Sequence, residues 1–170
     1  MKYGIFLLMS LVLLPASATE PPKPPVTVEY ISPEKFTDIS STNHGPPNSS
    51  YLDQLSKHLS KKAASYLAPG ERLTIAIKDI DMAGGFEPWV MPVNPDVRMV
   101  RDIYPPRIAL SYELRDAHGQ VLKAGDAKLS NPAFLLNPRP NSIDTMRHEK
   151  ALLDNWLRKS FAERNAKSLE

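Results

Sequence analysis

Two segments that alternate between apolar and polar side chains, joined by a run of turn-forming residues, constrain this chain more than any other feature. Ile108-Ala109-Leu110-Ser111-Tyr112-Glu113-Leu114-Arg115 has the period of a half-buried strand, and Val121 to Leu129 returns with the same period. Between them Asp116-Ala117-His118-Gly119-Gln120 supplies turn chemistry, with Gly119 able to take positive φ. Residues 107–129 are therefore expected to form a β-hairpin. Gly125 in the return strand points to a bulge or an edge position, since a central strand loses packing at glycine. Val26-Thr27-Val28-Glu29-Tyr30 and Leu73-Thr74-Ile75-Ala76-Ile77-Lys78-Asp79 alternate as well and predict two further strands.

From Ser50 the period changes. Leu52, Leu55, Leu59, Ala63, Tyr66 and Leu67 recur at three and four, the stripe of an amphipathic helix, with Ser50 and Asp53 as a capping box and Pro69-Gly70 as the stop. Lys57, His58, Lys61 and Lys62 gather in its second half, where cations are favoured near a helix C-terminus on a solvated face. Residues 31–48, broken by Pro33, Gly45, Pro46 and Pro47, read as loop with Phe36 and Ile39 as anchors. A last helix is expected from Asn141 or Ser142, with Ile143, Met146, Leu153, Trp156, Leu157 and Phe161 as its buried stripe. The order strand, helix, strand, hairpin, helix predicts an α+β fold: two layers, a small antiparallel sheet covered on one face by two amphipathic helices.

The N-terminus has a different character. Lys2 precedes an apolar run from Ile5 to Leu14 and then Pro15-Ala16-Ser17-Ala18, the layout of a secretory signal peptide. The run is about half the roughly twenty residues a membrane-spanning helix needs, so cleavage after Ala18, and not a retained transmembrane anchor, is the expectation. Residues 19–25, with Pro21-Pro22-Lys23-Pro24-Pro25, read as a stiff proline-rich leader; residues 26–165 as one α+β domain; and residues 166–170 as a frayed end. Without residues 1–18 the chain has 20 Lys+Arg against 19 Asp+Glu, which argues against an electrostatic nucleic-acid binder. Cysteine is absent, which excludes a lipidated cysteine anchor, disulfides and thiolate chemistry. The expected location is the periplasm.

The connection from Ile80 to Pro106 is long for a compact domain, and such connections are often functional. It contains Phe86, Trp89, Val90, Met91, Val97, Met99, Val100, Ile103 and Tyr104, a composition that packs. The alternation of Val97, Met99, Arg101 and Ile103 allows a short strand, while Asn94-Pro95-Asp96 allows the cap of a short helix; both stay open. Asp79, Asp81 and Glu87 lie close in sequence, as hard-cation ligands must, but a calcium loop would need an oxygen donor where Ala83 stands. The expectation is that these acids cap turns and pair with Arg101 or Arg107, and that no metal or cofactor is bound. The four histidines, His44, His58, His118 and His148, are expected in loops or on solvated faces, with Asp144 and His148 spaced to touch on the last helix.

The blocks Lys35-Phe36-Thr37-Asp38, Asp79-Ile80-Asp81 with Ala83-Gly84, Glu87-Pro88-Trp89, Pro105-Pro106-Arg107-Ile108 and Glu149-Lys150 resemble the bacterial family of unknown function numbered 3016 (DUF3016). The likeness covers nearly all of the chain beyond the leader. It implies an exported protein of a Gram-negative bacterium, and brings no activity and no active-site residues with it. From the residues themselves, the expected role is binding to another envelope component, through a surface comprising Asp79, Asp81, Phe86, Glu87, Trp89 and Arg107. Small-ligand or divalent-metal binding is the alternative, and a glycan-directed hydrolase using paired carboxylates ranks third. Glycine-x-serine-x-glycine elbows, phosphate loops and dinucleotide fingerprints are absent from the sequence.

Overall fold

The structure, a computed structural model, describes residues 24–136 and 143–167, without the side chains of 163–167. The signal-like segment 1–18, most of the leader and residues 168–170 lie outside the described residues. The elements are β1 (Val26–Tyr30), a 3-10 turn at Pro33–Lys35, α1 (Ser49–Ala64), β2 (Arg72–Asp81), β3 (Gly85–Phe86), β4 (Arg98–Met99), β5 (Arg107–Arg115), β6 (Val121–Ser130) and α2 (Arg147–Lys167). The four long strands form an open sheet in the order β1-β2-β5-β6, and β3 pairs with β4 in a separate small ribbon.

The α+β fold is as expected, but the sheet is mixed where an antiparallel one was predicted. β1 runs parallel to β2, pairing Val26 with Leu73 and Tyr30 with Ile77, while β2–β5 and β5–β6 are antiparallel. The reason lies in the connection. α1 carries the chain back along the sheet between β1 and β2, and a helical crossover delivers the next strand in the same direction. The predicted hairpin is β5–β6, closed by Asp116, whose carboxylate accepts from the His118 and Gln120 N–H groups at 2.8 and 2.9 Å, with Gly119 at φ +81°.

One face of the sheet carries the core. Leu73, Ile75 and Ile77 of β2 and Ile108, Leu110 and Leu114 of β5 are fully buried against Leu55, Leu59 and Ala63 of α1 and Leu153, Trp156, Leu157 and Phe161 of α2. Each such aliphatic side chain contributes about 1.5–3 kcal/mol by leaving water. Tyr30 ties β1 to α1: its hydroxyl donates to the Leu52 carbonyl at 2.7 Å and accepts from Ser56 at 3.0 Å, and burial pushes its pKa up to about 12.

A β-bulge decides which way the acids of β2 point. Ile77 pairs with Leu110 and Asp79 with Ala109, so Lys78 is the extra residue. Before the bulge the odd-numbered residues face the helices; after it Ile80 and Met82 do, both buried. Asp79 and Asp81 are thereby kept on the open face. Without the irregularity the alternation would drive both carboxylates into the core.

Several local expectations are corrected. The N-cap of α1 is Asn48, whose side chain accepts from Tyr51 N at 3.3 Å, and Ser50 lies inside the helix. Asn48 is preferred because its own N–H is already held by the Ile39 carbonyl at 2.9 Å, which fixes the entry to the helix. α2 begins at Arg147, later than the predicted Asn141 or Ser142, positions that lie outside the described residues, and Ile143 is fully exposed, not part of the buried stripe. Asp144 sets this start: its carboxylate accepts from Met146 N at 2.9 Å and holds Lys150 at 2.7 Å, where contact with His148 was expected. Burial alone would raise its pKa, but the Lys150 ammonium and the Met146 N–H outweigh burial and hold it below the usual carboxylate range. His58 does not sit on a solvated face. It bridges the helices, 2.6 Å from Asp154 of α2. Gly125 marks an edge strand, and the bulge lies elsewhere, at Leu122. A Cβ at Gly125 would stand 3.4 Å from the Tyr112 hydroxyl, an ordinary contact.

Candidate functional site

The long connection is an ordered platform. It folds as the β3–β4 ribbon, in which Gly85 pairs with Met99 and Phe86 with Arg98, followed by consecutive turns back to β5. A short strand therefore forms, of the two structures the sequence allowed. Gly84 makes the corner at φ +84°, where a Cβ would come within 2.7 Å of the Met99 carbonyl oxygen, so the ribbon closes only with glycine there.

Arg98 locks the platform to the sheet. Its guanidinium donates to both Asp38 oxygens at 2.6 and 2.8 Å, to the Ser40 carbonyl at 2.9 Å and to the Gly84 carbonyl at 3.2 Å, and lies over the Phe86 ring at 4.4 Å. Asp38 is itself fixed, because its N–H donates to Ile80 O at 2.8 Å and its carbonyl accepts from Met82 N at 3.2 Å beside the end of β2. A planar fork against a carboxylate, with the remaining protons on carbonyls, is the geometry for which arginine is suited and lysine is not.

A second anchor is Glu87, which is nearly fully buried. Tyr104 donates to its Oε1 at 3.1 Å, a bond that raises the phenol pKa, and Arg101 stands 2.9 Å from Oε2 without the alignment of a hydrogen bond. A third carboxylate, Glu149 of α2, has no exposed surface. Its Oε1 accepts from Ala83 N at 2.7 Å, while Oε2 is without a hydrogen-bond partner. Burial raises the Glu149 pKa, opposed by the Ala83 N–H and by the charges of Arg98 and Arg147. An acid whose folded pKa is raised stabilises the fold fully below its ordinary range and loses that contribution as pH climbs through the raised value. Glu149→Gln keeps an acceptor for Ala83 and removes the charge. Its unfolding midpoint is expected to gain on the parent protein as pH rises above the ordinary glutamate range, and to match it in acid. Parallel midpoints across the whole series would show that Glu149 does not titrate in this way.

The residues singled out from sequence divide into two groups. Asp79 accepts from the Thr37 N–H and hydroxyl at 2.7 and 2.9 Å, and Asp81 pairs with Arg107 at 3.2 Å on the open sheet face. Burial, with the neighbouring Asp38 and Asp79 charges, raises the Asp81 pKa more than Arg107 lowers it. Phe86 and Glu87 belong instead to the platform anchors just described. Trp89 is 72% exposed, on the outside of the platform. Asp79, Asp81, Glu87 and Arg107 do not line the cavity of about 250 Å³ beside Phe86, whose walls include Glu34, Asp38 and His44. Among the described residues no group of three or more histidine or acidic side chains is arranged to hold a metal.

Sequence reasoning missed Arg98 as the keystone. Asp38 and Glu149 stand in the blocks that carry the family resemblance, but the partner of Asp38 lies 60 residues away, beyond what a local pattern conveys. These blocks coincide with the anchors of the platform, and the model of the DUF3016 family, described as a protein of unknown function, matches residues 24–159. The chain belongs to the DUF3016 family. No curated protein matches it. In this DUF3016 domain, then, Asp38, Ala83, Gly84, Glu87 and Glu149 of those blocks brace the 82–106 platform, and among the described residues no helix is long and apolar enough to cross a membrane.

The platform presents several large apolar side chains outward, among polar ones such as Asn94, Asp96, Arg101 and Asp102. Of the twelve large hydrophobic side chains exposed among the described residues, six lie between positions 89 and 103: Trp89, Val90, Met91, Val93, Val100 and Ile103. Single exposed aliphatics are ordinary, but half of them in one braced segment is a local concentration of the kind that marks a contact surface.

Proposed function

We propose that this protein is a non-catalytic binding protein of the cell envelope, exported through the signal-like segment 1–18, and that the outer side of the 89–103 segment is its contact with a partner protein of the same compartment. The observation that carries this reading is the exposure of Trp89 on a platform held rigid by Arg98 and Glu87. An indole offers a large contact area at small cost in conformational entropy, and the half-exposed Arg101 of the same segment adds a charged contact of the kind enriched at interfaces. Val93, fully exposed, would pack beside it. Catalysis by the carboxylates finds less support, because Asp79, Asp81 and Glu87 each already hold a structural partner.

Trp89→Asp is expected to change stability by less than about 0.5 kcal/mol, as surface substitutions do, and to abolish partner contact. A photocrosslinking residue at position 93 should give one discrete envelope adduct that disappears with Trp89→Asp, whereas the same residue at position 122, on the edge strand β6, should not. The same adducts from both positions, or adducts indifferent to Trp89→Asp, would refute the contact surface. Fractionation that leaves the full-length protein in the cytoplasm would refute export.

A further inference from the structure

A separate cavity of about 690 Å³ lies between the end of β6, the turn at residues 131–136 and one flank of α2. That volume is within the range of small-molecule sites. Its linings differ along the helix. Arg147 and His148 stand at one end, with Phe134 against the His148 ring; Ala151 and Leu152 follow one turn on; Asn155 and Lys159 close the other end. At about 1.5 Å per residue the two ends are separated by roughly three turns of helix, so the cavity is elongated.

Its chemistry is one-sided. Among the described residues no aspartate or glutamate lines it, and neither Arg147 nor Lys159 makes an ion pair; Arg147 reaches only the Asp144 carbonyl, at 3.4 Å. The His148 ring packs edge-on against Phe134 with centroids 4.8 Å apart, and its Nε2 is buried without a hydrogen-bond partner. Burial, helped by Arg147, holds the imidazole below its ordinary pKa, so at neutral pH the ring is uncharged and still has a hydrogen bond to make. Buried polar atoms left without partners ask for an occupant.

We propose that this cavity binds an elongated organic carboxylate with an apolar body, its head group at Arg147 and His148 and its chain against Ala151, Leu152 and Phe134. The site is independent of the Trp89 surface, on a different side chain set and a different element.

Octanoate tests this, with octanol and octylamine as neutral and cationic counterparts of the same length, read at the His148 imidazole resonances of the full chain so that binding elsewhere does not register. Octanoate is expected to shift these resonances saturably. Octylamine should leave them unmoved, and octanol should bind at least about tenfold more weakly. Arg147→Glu should weaken octanoate by about tenfold or more, and Ala151→Phe, which fills the apolar section, should abolish the shift while leaving the helical circular dichroism intact. Should Arg147→Glu fail to fold, Lys159→Glu, at an exposed position, replaces it with a smaller loss expected. Equal response to all three probes, no response to octanoate, or an octanoate affinity unaltered in the folded variants would overturn the proposal, as would loss of the signal in Trp89→Asp, which leaves this cavity untouched.

Discussion

Arg98→Met is expected to destabilise the protein by about 3 kcal/mol, near the lower end of the range for removing one partner of a largely buried ion pair. The side chains of Arg98 and Asp38 retain 14% and 21% of their exposure, so water screens the loss in part but does not remove it. Methionine matches the length and apolar stem of arginine, yet it takes the guanidinium protons away from both Asp38 oxygens, the Ser40 carbonyl and the Gly84 carbonyl, leaving Asp38 Oδ1 only the Ser40 N–H at 3.3 Å. The midpoint of thermal unfolding should fall by roughly 10 °C for a domain of this size. Arg98→Lys keeps the charge but cannot form the fork or lie flat on Phe86, so most of the loss should remain. The sharper test is a pair of variants. Arg98→Met with Asp38→Leu, which removes both charges, should recover part of the deficit, since much of the single-variant cost is the stranded carboxylate. Strictly additive losses would mean that the two side chains do not act together. Because the platform hangs on this link, Arg98→Met should also reduce crosslinking from position 93 without altering the response of His148 to octanoate.

Phe161→Ala should cost about 3–5 kcal/mol, the range for truncating a buried aromatic ring. Phe161 is 1% exposed and stands edge-on to Tyr112 and Trp156, with centroids at 5.7 and 5.8 Å, in a three-ring cluster where β5 meets α2. The Lys123 ammonium lies 5.4 Å from the same ring and donates to the Ser160 carbonyl, joining the edge strand β6 to the helix. Chemical denaturation should show the loss as a lower midpoint with an unchanged slope. Phe161→Leu, which refills most of the space, should lose clearly less than the alanine variant. Equal losses would place the energy in the edge-on ring contacts and not in the volume filled.

The elements themselves were legible in the sequence because each is decided by neighbours on its own segment. The period of two at Ile108–Arg115 and the period of three to four at Leu52–Ala63 report which side chains must leave water together, and turn residues such as Asp116 and Gly119 act within a few positions. The core face of β2, the edge position implied by Gly125 and the apolar wealth of residues 86–104 follow from the same local rules. Composition alone did not say which of the aromatic side chains in that stretch lay inside, and only the packed structure puts the Trp89 indole outside.

What only the tertiary structure decided involves partners far apart along the chain. β1 pairs parallel to β2 because α1 returns the chain between them; the bulge at Lys78 turns Asp79 and Asp81 outward; and Arg98 meets Asp38, and Glu149 meets Ala83, only once the sheet and α2 have packed. The cavity beside His148 is likewise assembled from the end of β6, a turn and a helix flank. A local pattern sets the free energy of forming an element and of covering its apolar face. It does not set which charged groups end opposite one another when those faces close, since that choice rests on desolvation and geometry existing only in the packed state.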